Sequence, residues 1–293
     1  MATDPHPQID AITGTPTTGH EWDGLRELNT PLPRWWLWIF YATIIWAIGY
    51  WIVYPSWPLV SSYTSGLFGW KSRQAIVEDL AALKAQRAGM TDRIAAASLD
   101  QIVADPAMLA FARAQGRAAF ADNCAPCHGS GGGGAKGYPN LNDDEWLWGG
   151  KLADLELTIR HGIRSTDDKT RVGSMPAFGR DNMLPRADIV AAADFTRSLA
   201  GLPAAPDADL GRGRRVFAEN CAACHGDDGK GKRELGAPDL TDAIWLYGSD
   251  RRAIVEGLWN GRGGVMPAFA GRLDDTTIKA LAVYVHTFGG GEK

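Results

Sequence analysis

Two short stretches of the sequence decide the fold, Cys124-Ala-Pro-Cys127-His128 and Cys221-Ala-Ala-Cys224-His225. They contain all four cysteines of the 293-residue chain. Cys-x-x-Cys-His is the attachment signature of c-type haem, in which both thiols form thioether bonds to the porphyrin and the histidine binds the iron. The two copies therefore predict two covalently bound haem c groups, held by Cys124, Cys127, His128, Cys221, Cys224 and His225.

A Cys-x-x-Cys pair alone could also be a redox-active dithiol or half of a zinc site. Here a histidine follows each pair directly, and no cysteine is left for a zinc site or a disulfide framework. The surrounding sequence also repeats. Gly-Arg-x-x-Phe-Ala stands at 116–121 and 213–218, and a Gly-rich loop with Pro-Asn-Leu or Pro-Asp-Leu follows each motif. This repetition favours two copies of one haem-binding domain.

A six-coordinate haem iron needs a second ligand opposite the histidine, and a repeated Met-Pro-Ala-Phe sequence offers it. Met175 and Met266 open these two sequences, and methionine is an axial ligand that raises the potential of a cytochrome c. We assume that each methionine serves the haem of its own copy, although two adjacent domains could exchange these loops. Met183 is interpreted as a core or loop residue, and His161 and His286 as ordinary histidines.

A run of 20 uncharged residues, 35–54, precedes the repeats. A helix of this length spans about 30 Å, the thickness of the hydrocarbon core of a bilayer. Aromatic residues cluster at both ends of the run, as at membrane interfaces. The run is too long for the apolar region of a signal peptide, and no small-residue cleavage site follows it. We therefore predict a retained single-pass anchor.

Haem c is attached outside the bacterial cytoplasmic membrane, so we expect the haem domains in the periplasm and the N-terminus in the cytoplasm. The chain has 30 basic and 34 acidic residues, a balance that gives no sign of the basic surface that binds nucleic acid.

Between the anchor and the repeats, apolar periodicity predicts one helix over 72–89, with Gly89 as its stop, and a second over 91–103. The repeats close with predicted helices at 186–199 and 276–288.

The order of these features resembles class I cytochrome c, in which a helix leads to the haem motif, a loop carries the distal methionine and a last helix follows. The resemblance implies an all-α fold in which the first and last helices of each copy cross at a glycine with packed aromatics. Gly116 with Phe120 and Phe195 would fill these roles in the first copy. Gly213 with Phe217 and Tyr284 would fill them in the second.

The segments 19–36 and 236–248, together with the helix and the two motifs, resemble the dihaem subunit III of cbb3-type cytochrome c oxidases. That resemblance implies an electron-transfer subunit of the bacterial inner membrane, which is not itself the site of oxygen reduction. It would take electrons from a soluble or membrane-bound cytochrome c. Its partners would be a monohaem cytochrome c subunit and a catalytic haem-copper subunit.

These observations predict one transmembrane helix followed by two tandem class I cytochrome c domains. The expected bounds are 1–34 for a cytoplasmic segment, 35–54 for the helix, 55–108 for a connector, and 109–201 and 207–290 for the domains. The main alternative function is a free-standing, membrane-anchored dihaem shuttle. A dihaem peroxidase needs an open iron position, which two equivalent Met-Pro loops disfavour, and a cytochrome subunit of a periplasmic dehydrogenase is a further alternative.

Overall fold

The computed structural model describes residues 8–289 and 292 of the chain. The described part is mostly helical, with one long apolar helix before the two haem-motif repeats, which confirms the predicted fold class. The chain divides into two compact units, Met1–Gln86 and Arg87–Lys293.

The first unit opens with a small β-hairpin that the sequence analysis missed. Strand β1, Thr17–Trp22, pairs antiparallel with β2, Leu25–Leu28. Asp23 and Gly24 form the turn with φ of +50° and +86°. Positive φ at both turn residues is the geometry that Asp-Gly adopts in a two-residue hairpin, so this dipeptide was the available signal.

Helix α1, Arg34–Val53, is the predicted anchor, and none of its residues is buried by protein. After the helix the chain folds back, with the amides of Leu67 and Phe68 donating to the carbonyls of Ile52 and Val53 at 3.0 and 3.1 Å. Phe68 then meets the ring of Tyr54 edge-on, 5.5 Å between centroids. The loop therefore builds an aromatic collar at the end of α1, a composition typical of membrane interfaces.

Helix α2 runs without a break over Ser72–Ala96. The predicted stop at Gly89 was wrong, because glycine weakens a helix but ends it only where the next residues leave helical geometry. The short helix α3, Leu99–Ala104, follows, and Ser98 begins it with a capping box closed by Gln101. Helix α4, Pro106–Asn123, has Asp105 as its N-cap. The Asp105 carboxylate accepts hydrogen bonds from the amides of Ala107 and Met108.

The remaining helices follow the repeat. In the first copy they are α5 (Ala125–His128), α6 (Leu152–His161) and α7 (Arg186–Leu199). In the second copy they are α8 (Leu210–Asn220), α9 (Ala222–His225), α10 (Arg251–Asn260) and α11 (Asp275–His286). A short 3₁₀ helix, Arg233–Leu235, lies between α9 and α10.

The helices that were expected to cross within each copy cross between the copies instead. Helix α4 packs on α11, the last helix of the second copy, and α8 packs on α7, the last helix of the first. Helix α6 likewise packs on α11, and α10 on α7. We call α3, α4, α5, α6 and α11 the first half and α7, α8, α9 and α10 the second half. Each half thus combines segments of both repeats.

A glycine at each crossing allows the two helix backbones to approach closely. A Cβ at Gly116 would collide with the Ala280 carbonyl oxygen and lie 2.6 Å from the Cβ of Tyr284. A Cβ at Gly213 would collide with the Ala191 carbonyl oxygen in the same way. The predicted glycines are therefore correct, but their assigned partners were wrong, because sequence spacing cannot tell two similar C-terminal helices apart.

Aromatic contacts at the crossings show the same exchange. Phe120 meets Tyr284 at 5.7 Å and Phe288 at 5.4 Å between ring centroids. Phe217 meets Phe195 at 5.4 Å. Phe120 is almost fully buried, within a core that includes Ile278, Leu281 and Val283 of α11. The core of the first half therefore depends on the last helix of the chain.

A double-mutant cycle tests this exchange. We expect Phe120→Leu and Tyr284→Leu to couple by about 0.5–1.5 kcal/mol, because aromatic pairs stabilise beyond their buried area. The cycle of Phe120→Leu with Phe195→Leu should be additive. The free energies of unfolding come from denaturant titrations of the detergent-solubilised chain. A coupling with Phe195 and none with Tyr284 would show that the helices cross within each copy.

Candidate haem-binding sites

Each Cys-x-x-Cys-His motif forms one tight turn at the end of a core helix. Helix α4 ends at Asn123, and the amides of Cys127 and His128 donate to the Cys124 carbonyl at 3.1 and 2.9 Å. The second motif repeats these bonds at the same distances around Cys221. The turn therefore presents two thiols and an imidazole from one rigid point, as covalent attachment of a porphyrin requires.

The imidazoles are oriented by prolines that the sequence analysis noted without a role. The Nδ1 of His128 lies 3.0 Å from the Pro139 carbonyl oxygen, and the Nδ1 of His225 lies 3.1 Å from that of Pro238. A carbonyl only accepts, so Nδ1 carries the proton and donates. The Nε2 atoms, which make no hydrogen bond within residues 8–289 and 292, carry the lone pair that an iron ligand needs.

The electrostatic environment suits haem better than zinc. Burial lowers the pKa of both His128 and His225, which favours the neutral imidazole. Burial also raises the pKa of the Cys124 and Cys221 thiols to about 11. A zinc site needs thiolates, whereas thioether formation leaves no charge on sulfur. All four cysteines are free thiols in the described chain, so the residues fit haem c.

The methionine loops are held across the copies by backbone pairing. Ile163, just after α6 of the first copy, exchanges two hydrogen bonds with Met266, both 3.0 Å. Arg262, just after α10 of the second copy, exchanges two with Met175, at 2.9 and 3.0 Å. Both are antiparallel bridges. The backbone of each methionine is therefore held by the other repeat. No local sequence pattern predicted this pairing.

Two glycines allow this close approach. Gly162 ends α6 with φ +71°, and Gly261 ends α10 with φ +74°. A Cβ at Gly162 would collide with the Met266 carbonyl oxygen, and one at Gly261 would lie 2.7 Å from that of Met175. Only glycine combines the left-handed backbone with so close a neighbour.

The structure places Met266 on the core of the first half, against which Cys124 of the first motif also packs. Half-buried Met266 packs against the hydrophobic core of the first half, and Cys124, Phe120 and Ile159 belong to the same cluster. Met175 is half-buried in the loop that runs along α10, where the Arg180 amide donates to the Trp259 carbonyl at 2.9 Å. Each methionine loop therefore pairs with the other repeat along its backbone, while the haem that each methionine serves stays a prediction.

The other candidate ligands have different surroundings. The Nδ1 of His161 lies 2.9 Å from the Asp167 carboxylate, and the Nε2 of His286 lies 3.0 Å from the Glu292 carbonyl oxygen. Met183 is exposed, in the loop before α7. Each histidine thus has a protein partner, as its interpretation as an ordinary histidine requires.

A carboxylate cluster that the sequence analysis missed lies between loops of the two copies. Oxygens of Glu145, Asp239 and Asp242 lie within 4.8 Å of one another. Burial, followed by the charge of Asp242, raises the pKa of Glu145 to about 7, while the charge of Arg233 acts in the opposite direction. Part of this cluster is therefore protonated in neutral solution.

This cluster predicts a pH-dependent stability. The pKa of Glu145 rises from 4.5 to about 7 on folding, so its contribution is fully present below pH 4.5 and is lost as the pH rises through about 7. Glu145→Gln should flatten the dependence of Tm on pH in that window. Exposed Asp144→Asn is the control and should keep the parental curve. A Glu145→Gln curve with the parental slope would contradict the raised pKa.

Comparisons with known proteins agree with this architecture. The family described as "Cytochrome C oxidase, cbb3-type, subunit III" matches residues 111–195 and 208–285. A second family, described as "N-terminal domain of cytochrome oxidase-cbb3, FixP", matches residues 14–61. The chain thus matches both the haem-motif repeats and the hairpin and helix of the first unit.

Similar proteins match over nearly their whole length. The cbb3-type cytochrome c oxidase subunit FixP of Azorhizobium caulinodans is 59% identical over 287 residues, covering 98% of this chain and 97% of the relative. The FixP subunit of Bradyrhizobium diazoefficiens is 58% identical, with 98% and 99% coverage. The CcoP subunit of Cereibacter sphaeroides is 48% identical over 279 residues, with 94% and 96% coverage.

Proposed function

The chain belongs to the family of subunit III of cbb3-type cytochrome c oxidases, and from that premise we propose that it relays electrons from a cytochrome c donor toward the catalytic haem-copper subunit. The observation that carries the proposal is the pair of equivalent sites. Each has two thiols, an imidazole with Nε2 free of hydrogen bonds in the described chain, and a methionine loop fixed by backbone pairing. Two such sites favour a relay over single-site chemistry.

Two haem c groups would be held by the two motifs. Cys124 and Cys127 would attach the first and Cys221 and Cys224 the second, with His128 and His225 as proximal ligands. When bound, haem c supplies a one-electron carrier whose potential is tuned by its axial ligands. Covalent attachment suits domains of this size, because a small core buries too little surface to retain a large cofactor by packing alone.

We propose that the methionine ligands are exchanged between the repeats. Met266 would serve the iron held by His128, and Met175 the iron held by His225. The packing of Met266 and Cys124 against the same core and the two backbone bridges support this assignment. We keep 109–201 and 207–290 as the bounds of the two repeats, 55–108 as the connector, and 1–34 and 35–54 as the N-terminal segment and the anchor.

The proposed setting is the bacterial inner membrane. Helix α1 would cross it once, with the N-terminus in the cytoplasm and the haem-binding unit in the periplasm. The catalytic haem-copper subunit and a monohaem cytochrome c subunit would be its partners, and a soluble or membrane-bound cytochrome c its donor. Oxygen reduction would belong to the catalytic partner, since this chain's own residues only hold and orient the carriers.

Exchange of the methionine ligands can be tested in a chain that carries one haem. With Cys221→Ala and Cys224→Ala, only the first motif binds haem. In that chain Met266→Leu should remove the weak charge-transfer absorption between methionine sulfur and ferric iron, and Met175→Leu should retain it. Haem analysis should find one porphyrin per chain throughout. Loss of the absorption with Met175→Leu alone would show that each methionine serves its own copy.

The relay itself is tested by mild detergent extraction. We expect the chain to co-isolate with a subunit that contains copper and high-spin haem, in a complex that oxidises reduced cytochrome c with oxygen. Cys221→Ala with Cys224→Ala should reduce that oxidation to the background rate while the complex still co-isolates, because the relay is interrupted. A chain that purifies alone with both haems would instead be a free-standing dihaem shuttle.

A further inference from the structure

One side chain connects the two methionine loops. Arg164 follows α6 and lies one residue beyond the bridge between Ile163 and Met266. Its Nε donates to the Gly264 carbonyl at 2.6 Å, and its Nη1 donates to the Gly173 carbonyl. Gly264 stands two residues before Met266, and Gly173 stands two residues before Met175. The same guanidinium therefore bonds the equivalent carbonyl in both loops.

The repeat explains why only one copy carries this arginine. Helices α6 and α10 have ten residues each and are followed by Gly162 and Gly261, so Gly263 is the second-copy equivalent of Arg164. A Cβ at Gly263 would lie 3.9 Å from the Cδ of Arg164. The arginine stem thus runs past the position of its own counterpart, where a second long side chain would have to share the same space.

The backbone of Arg164 also points to a specific role. Its φ of +50° lies in the left-handed region, which costs any residue with a Cβ and favours glycine. Strained residues persist when surrounding contacts over-determine them, and they cluster at functional sites. With this backbone the Arg164 side chain lies between the two loops and bonds both of them. A glycine at this position would have no side chain to make these bonds.

The charge of Arg164 has no carboxylate partner. It makes no ion pair with any residue of the described ranges, although other arginines form ten ion pairs there. Burial lowers the pKa of Arg164, but arginine stays charged in proteins. A half-buried cation whose protein partners are two loop carbonyls contributes little as a surface charge. Its planar fork instead fixes the distance between those carbonyls.

We propose that Arg164 is a positioning residue that holds both methionine loops at once, so that ligation at the two irons depends on the same side chain. The inference rests on the proposed function, in which Met175 and Met266 are the ligands. Replacing Arg164 should therefore weaken methionine ligation at both haems, whereas a residue that serves one loop would affect one.

The test uses the full-length chain with both haems attached. Arg164→Gln and Arg164→Lys are each placed in Met175→Leu and Met266→Leu backgrounds, so that one methionine is monitored at a time. The readouts are the methionine-to-iron charge-transfer band of the ferric chain and binding of carbon monoxide by the ferrous chain. Arg180→Gln is the matched control, because the Arg180 side chain is exposed and, among the residues that the structure describes, bonds only Asp181.

We expect Arg164→Gln to reduce the band at least about twofold in both backgrounds, with a matching rise in carbon monoxide binding, because a loosened thioether leaves an open iron position. Arg164→Lys keeps the charge without the fork and should give a smaller loss, again in both backgrounds. It decides the question alone if Arg164→Gln fails to retain two haems. Arg180→Gln should match its background chain.

An unchanged charge-transfer band in either background would show that Arg164 does not position both methionine loops. Failure of the proposed ligation has a different signature, since the parent chain would then lack the methionine band altogether. The positioning role of Arg164 is contradicted if the parent chain shows the band and the Arg164 variants leave it unchanged at one site or at both.

Discussion

Backbone pairing between each methionine loop and the helix end of the other repeat is the constraint on which the second unit depends. Four hydrogen bonds, two at Met175 and two at Met266, join segments that lie far apart in sequence. Bonds of this kind are satisfied only when Gly162 and Gly261 let the backbones meet. The crossings of α4 with α11 and of α8 with α7 bury the aromatics that stabilise the same exchange.

This interleaving has an energetic consequence. The core around Phe120 includes α11, so the first half has no complete core until the last helix of the chain is in place. The core of the second half likewise needs α7 from the first repeat. An ion pair adds to it, since Arg251 on α10 bonds the almost fully buried carboxylate of Asp194 on α7 at 2.7 Å. The two halves should therefore fold as one cooperative unit rather than as two independent domains.

The proposed relay would benefit from such a unit, because electron transfer requires a fixed spacing between the two carriers. Two sites in one interleaved core keep their separation as long as the core is intact, and neither can tumble on a linker. The short Pro-rich segment at 201–206 joins the two repeats and connects helices α7 and α8, which pack directly on each other.

In the first unit, folded segments flank the anchor helix α1 on both sides. The residues before the anchor are more than a tether, because an Asp-Gly turn folds them into a hairpin directly ahead of α1. The loop behind the anchor returns to the end of α1 and adds an aromatic collar. The family match over 14–61 covers the hairpin and the helix together.

The sequence by itself predicted the haem motifs and most of the helices. Cys-x-x-Cys-His, the repeated Met-Pro sequences and the apolar run at 35–54 are local patterns, so each can be recognised without knowledge of its distant partner. Helix α7 was predicted at its observed bounds for the same reason. The hairpin was missed although its Asp-Gly signal was present.

Only the tertiary structure decided which elements meet. The two C-terminal helices and the two methionine loops are so alike that either could satisfy the glycine of α4 or α8, and periodicity carries no information about a partner. The choice was made by long-range contacts, such as the Cβ-free approach of Gly162 to Met266 and the reach of Arg164 across Gly263. Packing of that kind depends on the whole core at once, and so it cannot be read from any single stretch of sequence.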